Sequence, residues 1–311
     1  AVARRPPLGR AGAAAAGIVL DRFLGEPPVR PHPVSLFGRL MRAAEHRRWA
    51  DRRARGAAHA ALGTAVGTAA GAGLGATAAT YLAVAGRALD GAAGDVDAAL
   101  HADDVERARA LLPALVGRDP SSLGADEIAR ATVESLAENT VDAVVAPALW
   151  AVALGGPGAL GYRAVNTLDA MVGHRSPRYE RFGWASARLD DVANWVPARV
   201  TAALVVLVRP GAAASVRRAV REDAPAHPSP NGGVVEAAFA AALGLRLGGA
   251  SRYGDRHEER PTLGDGRPVA PADIAAARRL ARDVQLALAA VLAAVQLAAH
   301  LGRRRPRGPA R

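Results

Sequence analysis

Residues 134–154 read ESLAENTVDAVVAPALWAVAL. Glu134, Glu138 and Asp142 recur every four residues, so a helix would set all three carboxylates along one face with Asn139 beside them. Like charges at this spacing repel, and a divalent cation or clustered Arg is needed to compensate. Mg²⁺, which takes hard oxygen ligands, suits three carboxylates, so Glu134, Glu138 and Asp142 are the candidate metal ligands. The plainer alternative is a solvated acidic face on a surface helix. The same helix, however, is expected to continue into the apolar run 141–154 without a break. That continuity brings the carboxylates to a lipid boundary, where unpaired charge is expensive.

The rest of the chain fits an oily helical background. Half of the 311 residues are hydrophobic but only 4% are aromatic, and the apolar residues are mainly Ala, Val and Leu. This mix favours helix, and long alternating β-branched runs are missing. Five apolar stretches stand out: 11–20, 57–89, 141–162, 195–208 and 284–301. The first is shorter than the roughly 20 residues a span requires, and it runs on into Asp21 without a convincing signal-peptide cleavage site. In the second, Gly63, Gly67, Gly71 and Gly75 fall nearly on one face, where another helix can approach closely. The expectation is an all-α, polytopic membrane protein with about four or five transmembrane helices plus soluble helical segments and loops. It is treated as one domain over 1–311, with a basic tail at 302–311. A soluble all-α protein with an Ala-rich core is the competing architecture.

The net charge of +11 comes from Arg alone. Arg4, Arg5 and Arg10 precede the first apolar stretch, Arg42 to Arg55 precede the second, and Arg303 to Arg307 follow the last, as in cytoplasmic flanks of membrane helices. No basic patch interleaved with aromatics is present, so nucleic acid is not an expected partner. The chain has no Cys, which excludes disulfides, thiolate metal sites and cysteine nucleophiles.

Four further polar clusters sit beside apolar runs. Asn166 and Asp169 share a helix face, with His174 close behind. Asp190, Asp191 and Asn194 form a group with Arg199 one turn further on. Asp21 opens a proline-rich stretch, 21–34, that reads as an extended, rigid loop and includes His32. His227 to Gly233 (HPSPNGG) forms a Gly-rich turn before a helix bearing Glu236, where free backbone N–H groups would suit an anion such as phosphate. The Gly-Lys-Ser/Thr ending of a Walker loop is absent. Residues 89–139 read as soluble helices and 252–271 as loop.

Four segments carry a family resemblance: 21–38 (DRFLGEPPVRPHPVSLFG), 131–147 (ATVESLAENTVDAVVAP), 162–201 (YRAVNTLDAMVGHRSPRYERFGWASARLDDVANWVPARVT) and 227–247 (HPSPNGGVVEAAFAAALGLRL), with Tyr253-Gly254 following. In order and idiosyncrasy the chain resembles the CobD/CbiB family of cobalamin biosynthesis. Val234-Val235 depart from the family pattern, which has an aromatic residue and Pro before Glu236. The resemblance implies an adenosylcobinamide-phosphate synthase of the bacterial cytoplasmic membrane, multi-pass. Such an enzyme uses ATP to join (R)-1-amino-2-propanol or its O-phosphate to the free propionate of adenosylcobyric acid. ATP and Mg²⁺ are the implied cofactors; corrinoid, aminopropanol or its phosphate, and membrane lipid are the implied partners, with other cobalamin-pathway enzymes as further candidates. The candidate catalytic residues are Glu134, Glu138, Asp142, Asp169, Asp190 and Asp191. The candidate substrate-binding residues are Asp21, His32, Asn139, Asn166, His174, Asn194, Arg199, Ser229, Asn231, Gly232 and Glu236. A membrane transporter and a non-catalytic scaffold for corrinoid enzymes are the rival readings.

Overall fold

The computed structural model describes residues 9–304 apart from 28, 30, 118, 175, 254 and 255. Arg4, Arg5, Pro28, Arg175, Gly254 and the basic tail from 305 lie outside the described residues. Thirteen α-helices are described: α1 (Arg10–Leu24), α2 (Pro33–Arg48), α3 (Arg53–Ala72), α4 (Ala76–Ala83), α5 (Gly86–His101), α6 (Val105–Leu111), α7 (Ala125–Thr140), α8 (Ala146–Leu154), α9 (Gly156–Leu168), α10 (Trp184–Val208), α11 (Ala213–Glu222), α12 (Gly232–Leu243) and α13 (Asp273–Arg304). Two π-helical turns, Val141–Val145 and Asp169–Gly173, extend α7 and α9.

The expected apolar stretches are divided differently from a row of spans. Residues 57–89 break into α3, α4 and the start of α5. Residues 141–162 reverse at Gly155, whose φ of +71° suits glycine, so α8 and α9 fold back on each other. Among the described residues two helices, rather than four or five, are long and apolar enough to cross a membrane: Trp184–Val208 and Asp273–Gly302. Both expose large apolar side chains, among them Val192, Val196 and Leu207 on α10 and Leu286, Val295 and Leu301 on α13. Exposed large apolar side chains along a long apolar helix suit contact with lipid or another apolar partner.

The expected loop at 252–271 instead contributes strands. β1 (Leu245–Tyr253) pairs antiparallel with β2 (Arg256–Leu263) and parallel with the two-residue β3 (Arg267–Pro268). The polar, Pro-containing sequence of β2 has no period-two apolar signal. It becomes a strand because β1, anchored by buried Leu245 and Leu247, offers it an edge.

The glycine stripe does what close helix approach demands. A Cβ at Gly67 would meet Ala164 and the Leu160 carbonyl, and one at Gly71 would strike the Gly156 backbone. Gly75 faces open space outside α3. The stripe thus seats α3 directly on α9.

Two prolines set the irregular backbone around which the pocket forms. Pro147 lacks the N–H that the carbonyl of Ala143 would otherwise bind. The π-helical turn lies just before it, and the Ala143 carbonyl accepts the N–H of Ala85 at 2.9 Å. Pro197, inside α10, likewise vacates the carbonyl of Ala193, which accepts the Trp150 indole N–H at 3.1 Å. Each lost helix bond is replaced by a tertiary donor, so the vacated carbonyls are held by neighbours rather than left unpaired.

Two predictions follow from this packing. Trp150→Phe leaves the Ala193 carbonyl without its donor and should lower stability by about 1–3 kcal/mol, measured by thermal unfolding in detergent. Gly67→Val should cost at least about 1–3 kcal/mol by overpacking the α3–α9 contact, whereas Gly75→Ala should change stability by less than about 0.5 kcal/mol.

Candidate functional site

The carboxylate clusters converge on one cavity of about 250 Å³, lined by Glu138, Val141, Asp142, Asp169, Asp190, Asn194, Ser229, Asn231, Gly232 and Val235. Five pieces of chain supply these residues: the end of α7 and its π turn, the π turn after α9, α10, the 227–231 turn, and α12. Three of the four segments that carried the family resemblance therefore meet here.

Asn194 is the hub. Its amide donates to Asp142 Oδ1 at 3.0 Å and to Asp190 Oδ2 at 2.9 Å. Its Oδ1 accepts the Tyr162 hydroxyl at 2.8 Å. Both amide protons and the carbonyl are thus engaged, which defines the amide orientation. Asn166 donates to the other oxygen of Asp190 at 3.4 Å, and the Tyr162 hydroxyl lies 3.3 Å from Asp142 Oδ1. Asp169 closes the far side. Its Oδ1 lies where a Cβ on Gly173 would be, so glycine is required at that position for the carboxylate to fold back over the π turn.

The electrostatics reflect this crowding. Burial, then the charges of Asp190 and Asp191, push Asp169 up to about 7. Burial, then Glu138 and Glu134, raise Glu236 well above the usual carboxylate range. Clustered carboxylates sharing a partly dry cavity favour a bound proton or a bound cation. The donor set is hard oxygen, which fits Mg²⁺.

Several expected site residues lie elsewhere. Glu134 does not line the cavity. It is buried, accepts the Gly248 N–H at 3.0 Å and lies 4.0 Å from Arg130. Positions i and i+8 on an α-helix differ by about 80° in azimuth, so Glu134 and Asp142 do not share one ligand sphere. Asp191 turns its carboxylate toward Arg188 and contributes its backbone carbonyl, which accepts the Asn231 amide at 2.7 Å. Asn139 donates back to Ser135 on its own helix. Arg199 stacks on Trp195 and donates to Asn231 Oδ1 and the Pro230 carbonyl, so it braces the turn beside the cavity.

Asp21 accepts the Arg87 N–H at 3.0 Å and caps the start of α5 from another helix. His32 heads α2, and His174 packs edge-on against Tyr179. None of these three lines the cavity. The turn before α12 differs from a free anion cradle: Ser229 Oγ accepts the N–H groups of Asn231 and Gly232, at 3.3 and 3.0 Å. The side chain caps the helix itself.

Tyr162 was not among the candidates, and His227 was named only as the first residue of the anion-binding turn. Tyr162 stands four residues before Asn166, a spacing that puts both polar groups on one face of α9. His227 lies beside Glu236, its Nε2 3.4 Å from Glu236 Oε1. Their pairing crosses a turn, and no periodicity in the sequence encodes it.

Comparison with known proteins adds to this geometry. The family model described as CobD/Cbib protein matches residues 14–281. A protein of Mycobacterium tuberculosis (strain CDC 1551 / Oshkosh), named Cobalamin biosynthesis protein CobD, is 51% identical over 292 residues, covering 89% of this chain and 92% of its own length. Proteins of the same name from Chromobacterium violaceum and Geobacter metallireducens are 44% and 42% identical, each covering 85% of this chain and 89% of the relative. No solved structure matches the chain. A family match running from α1 into α13, with relatives this similar over most of their length, establishes that the chain belongs to the CobD/CbiB family.

Proposed function

We propose that this chain acts in cobalamin biosynthesis as a ligase that joins (R)-1-amino-2-propanol, or its O-phosphate, to the free propionate of adenosylcobyric acid with consumption of ATP. The place in cobalamin biosynthesis follows from the family. The observation that carries the chemistry is the cavity in which Glu138, Asp142, Asp169 and Asp190 face one another, tied by Asn194.

A carboxylate resists attack by an amine until one of its oxygens becomes a leaving group. ATP supplies the phosphoryl group for this step, and Mg²⁺ offsets the phosphate charge. Asp142 and Asp190 would hold the cation through hard oxygen contacts. Asn194 and Tyr162 hold Asp142 and Asp190 in position, so little reorganisation is needed when charge arrives. The attacking amine must shed one proton, and a cavity carboxylate of raised pKa, such as Asp169, is placed to take it. Arg199 keeps the 229–231 turn against the opening, where the amine substrate would enter. α10 carries Asp190 and Asn194 in its first half and an apolar run in its second, which supports attachment to the bacterial cytoplasmic membrane through α10 and α13 with the cavity near the lipid boundary.

The direct test supplies the purified chain with adenosylcobyric acid, the amine in either form, and MgATP, and detects the amide by mass spectrometry. Amide formation is expected, and Asp190→Asn or Glu138→Gln should lower the rate by roughly 10- to 100-fold or more. Undiminished turnover in both variants would remove the cavity from the mechanism; a scaffold would show no turnover at all.

A pH experiment reads the crowding at Asp169. Its folded-state value of about 7 lies above that of an unfolded Asp, so the folded protein holds a proton that the unfolded chain has lost. Without divalent cations, stability should therefore fall as pH rises from about 4 through 7. Asp169→Asn should flatten that slope in thermal unfolding carried out with chelator present.

A further inference from the structure

Glu138, His227 and Glu236 come from α7, the turn before α12, and α12 itself. One ligand atom from each lies within 4.8 Å of the others. The His227 and Glu236 side chains are 7% and 3% exposed. Neither imidazole nitrogen is directed at the cavity as a base. Nε2 points toward Glu236, and Nδ1 lies against the Ser229 backbone.

The geometry points to a site for a divalent transition-metal ion bound by Glu138, His227 Nε2 and Glu236, distinct from the all-oxygen carboxylate group of Asp142, Asp169 and Asp190. Three observations support it. First, the 3.4 Å between Nε2 and Glu236 Oε1 matches the edge of a tetrahedron around an ion with bonds of about 2.1 Å, roughly 3.4 Å. Second, Nδ1 lies against the Ser229 backbone, 3.1 Å from its N–H and 3.2 Å from its carbonyl. These contacts anchor the ring with Nε2 turned toward Glu236, the orientation a metal ligand needs. Third, the start of α12 packs closely against two of the ligands. A Cβ at Gly232 would come 2.9 Å from Glu138 Oε1 and 3.2 Å from the His227 ring, so glycine lets the helix start close over the ligands. Glu138 and Gly232 also line the cavity, which leaves the open coordination position facing it.

One imidazole with two carboxylates favours Mn²⁺, Fe²⁺ or Zn²⁺ over Mg²⁺ or Ca²⁺. The ion's open position would take an oxygen of whatever anion occupies the cavity, phosphate or carboxylate. That role rests on the synthase reading above; the binding of the ion does not.

The test uses Mn²⁺ and the full chain, purified in detergent and stripped with chelator. Electron paramagnetic resonance counts the bound ion, and electron spin echo modulation reports directly bound nitrogen. The expected result is a bound Mn²⁺ with ¹⁴N modulation that becomes a ¹⁵N pattern in histidine-labelled protein. His227→Gln should abolish the nitrogen signal and weaken binding by about 10-fold or more. Glu236→Gln should weaken binding similarly, and it carries the test if His227→Gln does not fold. Asp265→Asn, whose exposed carboxylate pairs with Arg218, should leave binding unchanged. Bound Mn²⁺ with no nitrogen modulation, binding unaffected by both His227→Gln and Glu236→Gln, or no binding at millimolar Mn²⁺ would overturn the site. Amide formation by protein that binds no nitrogen-ligated ion would overturn the site and leave the synthase reading standing; a nitrogen-ligated ion without amide formation would do the reverse.

Discussion

One amide side chain holds the centre of this molecule together. Asn194 donates to Asp142 and to Asp190, carboxylates from two separate helical segments, at 3.0 and 2.9 Å. Left to themselves these acids would repel. A donor with two protons lets them share a small volume, and the Tyr162 hydroxyl on its carbonyl prevents the amide from turning over. The relative rotation of α7, α9 and α10 is therefore coupled to this network. A rotation that re-aims any one of these side chains breaks hydrogen bonds in a partly dry space, where each lost bond is costly.

The backbone around the network is correspondingly irregular. Pro147 and Pro197 each remove one helix hydrogen bond, and in each case a group from elsewhere takes the vacated carbonyl. Asp142 sits in the π turn just before Pro147, and Asp169 sits in a second π turn after α9. Inserted turns of this type shift the azimuth of every residue that follows, and they recur at functional sites for that reason. Gly67 and Gly71 act at longer range: by bringing α3 onto α9 they fix the helix that presents Tyr162 and Asn166 to the cavity.

Apolar length is concentrated rather than distributed. Among the described residues, α10 and α13 are long and apolar enough to cross a membrane. Other apolar stretches are shorter helices interrupted by glycine or reversed, as at Gly155. Hydropathy along the chain sums apolar residues without regard to where the backbone turns, so it makes 141–162 look like a span. The same limitation hides the β1–β2 hairpin, whose second strand is polar and owes its conformation to its neighbour.

The chemical inventory was legible from residues alone. A largely helical, Ala- and Leu-rich background, acids and amides placed beside apolar runs, and the ordered segments that mark the family are all local or linear properties, and side-chain type with spacing is enough to see them. Tertiary structure decided which of those groups meet. It set Glu134 apart from Asp142 because eight residues of helix do not close on the same azimuth, and it capped the 227–233 turn with its own Ser229. It also placed His227 against Glu236 and Glu138, because a contact between a turn and two helices depends on how the helices pack, and no single-segment periodicity carries that information.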